Sequence, residues 1–362
     1  MGKKKTKRKQ TGPSQQSSRR QNSVRLSQCM IVKNEEKNIE KALGWAKAVA
    51  FEQIVVDTGS ADRTVELAEK LGAKVYHFEW VDDFSAARNY AQERATGDWI
   101  VVLDADEYIS PQDAKKLMVI LAQIHADPGQ YARYKALSCK LINVDDDGRP
   151  RASLYTCRVF RNTPEVRYKG RIHEQLDITA ADILRVEDIT IIHTGYSESA
   201  RTEKNKFERN IKMLRDELKR EPDDMNIKAY LADSLSAGTD GDSRAEATEL
   251  FSEVISKGGV VHSLLRIKAY NFLLHHYLDE AGRLSQCEEM CRKALEEFPG
   301  LLDFEYFMGC VLNNKGDYQA AWEILEKCEA KLSDAGYSDE SIYIPSNPML
   351  LYKQVMTAAQ WM

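Results

Sequence analysis

The sequence predicts an α/β domain with a mostly parallel sheet, followed by an all-α domain of repeated helix pairs. Three observations predict this. Between residue 26 and about residue 110, short apolar runs alternate with helical stretches. Acidic and small polar residues gather just after those apolar runs. From about residue 200 the strand patterns give way to a 3.6-residue period that repeats itself at 34 residues.

The elements follow in order. LSQCMIV (26–32) reads as the first strand and KNEEKNIEKALGWAKAV (33–49) as a helix. QIVVDTGS (53–60) is a short buried strand ending in Asp and Gly. DRTVELAEKLG (62–72) is a helix with Asp62 as its N-cap and Gly72 as its stop. AKVYHFEW (73–80) is a strand, FSAARNYAQERATG (84–97) a helix closed by Gly97, and DWIVVLDAD (98–106) a fourth strand. Continuous apolar strands joined by helices are buried on both faces, and such sheets bind ligands beyond the carboxyl ends of their strands.

Composition bounds the function. The 362 residues carry 51 basic and 56 acidic side chains, but the first 25 hold nine basic residues and no acid, so the body is the acidic part. Residues 1–24 read as a disordered, solvated tail. The tail lacks the interleaved aromatics of a nucleic-acid arm, and contact with an anionic membrane face is its alternative role. Its MGKKKT start resembles an N-myristoylation signal, with Gly2 and Thr6. No apolar run approaches the roughly 20 residues that span a bilayer. Seven cysteines, an odd number without any CxxC, suit reduced thiols and a cytoplasmic location.

The strand ends carry the chemistry. Asn34, Glu35 and Glu36 follow the first strand; Asp57, Thr58, Gly59 and Ser60 follow the second; Asp104, Asp106 and Glu107 follow the fourth. Carboxylates facing one crevice repel unless a positive species lies among them. A hard cation bridging a diphosphate meets that need.

IVKNEE (31–36), VDTGSADRT (56–64), FSAARN (84–89) and LDADE (103–107), in that order, resemble the family-2 glycosyltransferases over about residues 25 to 200. The resemblance implies a GT-A nucleotide-sugar-binding fold for residues 25–202. It implies a nucleotide-diphosphate sugar donor, a UDP-sugar foremost, and inversion at the anomeric centre. By position, Glu35 and Asp57 would contact the nucleoside, with Asp57 at the base. Ser60, Arg88 and Ala105 would belong to the same nucleotide-sugar set. Asp104 would approach the ribose or the metal, and Asp106 would bind Mn²⁺, with Mg²⁺ as the alternative.

Many members of that family carry an acidic base about seventy residues further on. Glu174, in CRVFRNTPEVRYKGRIHEQL (157–176), lies 68 positions after Asp106 and is the candidate general base. Its bland alternative is a pairing with Arg167 or Arg171. His173 would orient Glu174 or a phosphate. His193, at the end of another apolar strand, would by resemblance be the late histidine that supplies a third metal ligand; otherwise it is a hydrogen-bonded surface histidine. Arg158 and Arg161 either face phosphates or belong to a solvated strand face.

Residues 268–299 and 302–333 align, with Gly282 and Gly316, Ala294 and Cys328, and Leu274 and Met308 each 34 apart. With the turn Lys315-Gly-Asp-Tyr318 and with Pro299 closing the earlier unit, they resemble tetratricopeptide repeats, and 226–257 is a looser copy. The repeats are expected over 203–335, opening on a linking helix at 203–220. A loop and short amphipathic helix at 336–362 would cap the array or meet a second subunit in a homodimer.

The joined pattern is similar in architecture to the sublancin-type peptide S-glycosyltransferases. It implies a metal-dependent hexosyl- or N-acetylhexosaminyl-transferase whose repeats present a protein or peptide acceptor. Two alternatives stand beside it: extension of a lipid-linked or cell-surface glycan at the inner membrane face, and a non-catalytic repeat scaffold.

Overall fold

Leu26–Val32 form strand β1 with the limits the sequence predicts. The computed structural model describes residues 24–145, 147–194, 200–238, 240–257, 262–280, 282–334, 341 and 343–362. The basic tail and its myristoylation-like start, residues 1–23, lie outside them. The chain divides into two units between residues 198 and 199. Among the described residues no helix is long and apolar enough to cross a membrane.

The first unit runs β1, α1 (Ile39–Gly44), β2 (Glu52–Asp57), α2 (Thr64–Lys70), β3 (Lys74–His77), α3 (Phe84–Gln92), β4 (Trp99–Val102) and β5 (Glu107–Ile109). It continues with α4 (Pro111–Ala126), α5 (Pro128–Tyr131), β6 (Ala136–Val144), β7 (Pro150–Arg161), β8 (Tyr168–Lys169), β9 (Gln175–Leu176) and β10 (Ile183–His193). The main sheet is ordered β3-β2-β1-β4-β7-β6-β10-β5, and β8 pairs with β9 apart from it. Strands β1 to β4 pair in parallel, as do β6 and β10; β7 and β5 are the antiparallel insertions.

Alternation explains why both faces are covered. Trp99 and Val101 face α4 through Leu117, Leu121 and Ile124, whose spacing makes one helical stripe. Ile100 and Val102 face the other way, against Ala91 of α3 and Phe160 of β7. Met30, Val32 and Val55 pack with Ile39, Leu43 and Ala68 of α1 and α2.

One helix is much shorter than expected. The stretch 33–49 is helical only over Ile39–Gly44. The backbone N–H groups of Asn34, Glu35 and Glu36 are drawn instead to Ser60 Oγ (2.9 Å), Thr64 Oγ1 (2.7 Å) and Asp62 Oδ2 (3.1 Å). Asn34 adopts φ 59, a left-handed conformation that asparagine tolerates. Asp62 therefore laces two loops together while its other oxygen accepts from Thr64 N at 3.0 Å.

The second unit is helical: α6 (Ala200–Arg220), α7 (Met225–Ser236), α8 (Gly241–Lys257), α9 (Ser263–Asp279), α10 (Leu284–Glu297), α11 (Leu302–Lys315), α12 (Tyr318–Ser333), α13 (Tyr343–Ser346) and α14 (Pro348–Trp361). The aligned segments 268–299 and 302–333 correspond to the pairs α9–α10 and α11–α12. Cys287, Cys291, Cys310 and Cys328 are buried in their shared core. Gly309 lets α11 and α12 touch, since a Cβ there would stand 2.5 Å from Leu325 Cδ2. Leu351, Val355 and Ala358 of α14 join the same core, and Asp303 accepts from the N–H groups of Tyr343 and Ile344, each at 2.9 Å. The C-terminal segment thus closes this end of the array.

Candidate active site

The carboxyl ends of β1, β2 and β4 bring the predicted polar residues to one edge of the sheet. At the end of β2, Asp57 is 4% exposed. Its carboxylate accepts from Ser60 N at 3.0 Å and Gly59 N at 3.2 Å, a turn that the positive φ of Gly59 (104°) permits. His77 Nδ1, at the end of β3, stands 3.4 Å from Asp57 Oδ2. The Ser60 hydroxyl accepts from Asn34 N, and Glu35 Oε2 accepts from Asn38 Nδ2 at 2.8 Å.

The three acidic residues after β4 separate into two environments. Asp104 lies between two arginines: Arg88 Nη2 donates to Oδ1 at 2.9 Å and Arg158 Nη2 to Oδ2 at 3.2 Å. Arg158 Nη2 also donates to Glu107 Oε1 at 2.5 Å, and Glu107 Oε2 accepts from Asp104 N at 3.0 Å. Burial works against the charge on Asp104, but the two guanidinium groups outweigh it and hold this pKa below the usual carboxylate range. Burial, and then the neighbouring Asp104, push Glu107 upward instead. The positive species demanded by these two carboxylates is therefore supplied by the chain. Arg158 is turned onto these carboxylates with 18% of its side-chain surface exposed, and Arg161 donates to the carbonyls of Tyr134 and Tyr131. Ala105 is buried against Met30 and Ile39.

Asp106 has a different partner. Its Oδ2 is 3.2 Å from His193 Nε2, and its carbonyl accepts from Thr194 N at 3.0 Å. The β5–β10 register, which pairs His193 with Glu107, creates this meeting. The hydrogen bond to Asp106 raises the His193 pKa against the effect of partial burial. Among the described residues no three His, Cys, Asp or Glu side chains converge as a metal cage. A carboxylate and an imidazole nevertheless suit Mn²⁺, and a divalent ion held by few protein groups takes its remaining ligands from substrate phosphates and water.

Glu174 reaches the same cluster from beyond β8. Arg88 Nε donates to its Oε1 at 2.6 Å, and Arg88 is 6% exposed. Arg88 therefore bridges Glu174 and Asp104. Arg167 donates to the carbonyls of Thr163 and Val166, and Arg171 to those of Asp82 and Val81. The ion-pair partner of Glu174 is thus Arg88, where the sequence suggested Arg167 or Arg171. His173 precedes Glu174 at φ 54, a left-handed backbone uncommon for histidine. Three buried polar atoms in this region lack a hydrogen-bond partner: Arg88 Nη1, Arg158 Nε and Tyr168 Oη.

The sequence reading placed Asn34 among the strand-end residues but missed Asn143 and Tyr168, which no local pattern marks.

Residues 27–162 match the family model described as glycosyl transferase family 2. A TPR repeat-containing protein of Synechococcus elongatus is 34% identical over 221 residues, covering 59% of this chain and 51% of that protein. The SPbeta prophage-derived glycosyltransferase SunS of Bacillus subtilis is 24% identical, covering 78% of this chain and 65% of that protein. The crystal structure of S. aureus TarS aligns with a TM-score of 0.40 at 16% identity, covering 69% of this chain and 52% of that one. The chain spans between about half and two thirds of the length of these two curated relatives.

Proposed function

We propose that the family-2 glycosyl transferase domain formed by residues 27–162, completed by Glu174 and His193 beyond it, moves a sugar from a nucleotide-diphosphate sugar to a polypeptide acceptor. One observation carries this reading: the carboxylates after β4 are sorted. Asp104 and Glu107 are neutralised by Arg88 and Arg158, while Asp106 is kept for His193.

Each side chain then has a task. Asp57, fixed by two backbone N–H groups, receives the base N–H of a uridine nucleotide. Asp106 and His193 hold the cation, Mn²⁺ before Mg²⁺ because imidazole is one of the ligands. A bound divalent ion offsets the charge on the departing diphosphate. Glu174 takes the proton from the acceptor hydroxyl or thiol as that atom bonds to the anomeric carbon and the bond to the diphosphate breaks. Arg88 anchors Oε1 of Glu174 and so aims Oε2 at the acceptor. Attack from the face opposite the diphosphate inverts the anomeric centre. The helical repeats support a polypeptide acceptor, because stacked helix pairs create the extended surfaces on which chains are held.

The test is a panel of nucleotide sugars with Mn²⁺, read by nucleotide release and by the mass of an added peptide mixture. Glu174→Gln is expected to bind UDP as wild type does and to lose about 10²- to 10⁴-fold in turnover. Unchanged turnover removes Glu174 from the base role. A wild-type protein that binds and cleaves no donor overturns the transferase reading in favour of the scaffold.

A further inference from the structure

Asn143, near the end of β6, lies beside His193 in the parallel β6–β10 pair, so the two side chains share one face of the sheet. That register depends on an irregularity. Val186 pairs with Cys139, yet the next pair is Thr190 with Lys140. Had the ladder run on regularly from Val186, Thr190 would have stood beside Asn143. The three extra residues, 187–189, hold His193 back to that position. The strand thus departs from its regular ladder and thereby brings one imidazole against one amide.

The contact is directional. His193 Nδ1 is 2.7 Å from Asn143 Oδ1. An amide oxygen only accepts, so Nδ1 carries the ring proton. The lone pair of the neutral ring is then on Nε2, which faces Asp106 Oδ2 at 3.2 Å. Without a metal, a second ring proton on Nε2 can fill that contact by donation to Asp106; a divalent cation touching both groups takes that proton's place. On the far side, Thr194 fixes the Asp106 main chain, through its N–H and its hydroxyl, each donating to the Asp106 carbonyl at 3.0 Å. Both side chains are therefore held from behind.

We propose that Asn143 is a positioning residue that fixes the tautomer and plane of the His193 ring so that Nε2 is presented, unprotonated, to a divalent cation shared with Asp106. Its neutral amide supplies the orientation without adding charge, so the cation meets one protein carboxylate and keeps affinity for a diphosphate. The inference rests on the transferase reading only in taking the ion to be divalent.

The experiment titrates Mn²⁺ into the full chain, with and without UDP, following free Mn²⁺ by electron paramagnetic resonance. Asn143→Leu removes the acceptor at similar volume, Asn143→Asp keeps it, and His193→Ala removes the ligand. Asn143→Leu is expected to weaken Mn²⁺ binding about 10- to 100-fold, as losses of such supporting hydrogen bonds do. Asn143→Asp should remain within about threefold of wild type, and metal-free UDP binding should be the same in all. Wild-type affinity in Asn143→Leu alongside weakened binding in His193→Ala overturns the proposal. Absence of Mn²⁺ binding by wild type overturns the cation assignment first and this inference with it. Ring ¹⁵N chemical shifts of metal-free wild type, at a pH where His193 is neutral, give a readout that needs no variant to fold. A proton on Nδ1 supports the assignment, and a proton on Nε2 refutes it.

Discussion

Replacing Arg88 by alanine removes the link between Glu174 and Asp104, and its cost can be worked from their surroundings. Arg88 is 6% exposed and Glu174 retains only 14% of its side-chain surface, so Glu174 would be left with a poorly solvated charge. Breaking one partner out of a buried pair costs about 3–5 kcal/mol. Asp104 is less affected, being 38% exposed and keeping Arg158 at 3.2 Å. The expected loss is therefore at the lower end, about 3 kcal/mol, which in a unit of this size lowers the melting temperature by roughly 10 °C. Adding Glu174→Gln removes the stranded charge. The double variant should then recover about 1–3 kcal/mol relative to additivity. Calorimetry on the four proteins closes the cycle. A melting point for Arg88→Ala within about 2 °C of wild type, or an additive cycle, would refute the claim that this ion pair organises the site.

Three further outcomes are expected. Glu52 is buried and accepts from Lys74, Thr96 N and the hydroxyls of Ser27 and Thr96, which hold its pKa down to about 2 against the effect of burial. The folded value lies below the unfolded one, so the stabilisation is present above pH 4.5 and lost as pH falls toward 2. Glu52→Gln should cost about 3 kcal/mol near neutrality, with the gap to wild type closing in urea titrations at lower pH. Gly309→Ala places a methyl 2.5 Å from Leu325 Cδ2 and should destabilise the helical unit by about 1–3 kcal/mol, partly relieved by Leu325→Val in the same chain; thermal unfolding reads both. Asp57→Ala should raise the UDP dissociation constant by about tenfold or more in calorimetry, the loss expected for a hydrogen bond to a charged group.

Some of this was legible in the sequence because its signals are local. β1 is a continuous apolar run, and its predicted limits coincide with those found. The repeat pairs announced themselves through a fixed 34-residue offset. The helix predicted over 33–49 failed because its periodicity says nothing of where backbone donors go. Ser60, Asp62 and Thr64 lie some 26 to 29 residues away and capture three of them.

The acidic cluster shows the same limit on a larger scale. Three carboxylates within four positions are visible in the sequence, and repulsion among them is a sound inference. The answering charge on Arg158 is 51 residues from Glu107 and arrives only because β7 lies antiparallel to β4, pairing Val159 with Val101. Arg88 comes from α3 by another route. Once both are placed, Asp104 is a tether between arginines, and Asp106 alone retains an imidazole opposite it. This difference orders two substitutions that the sequence would treat as equivalent. Asp104→Asn removes the charge and turns one of the two accepting oxygens into an NH2 donor, so that one of Arg88 and Arg158 loses its acceptor, and should lower the melting temperature. Asp106→Asn breaks only a partly exposed contact with His193 and should leave the melting temperature nearly unchanged while abolishing Mn²⁺ binding. If the two variants melt alike and lose Mn²⁺ alike, the carboxylates act as one cluster and the sorting argued above is wrong.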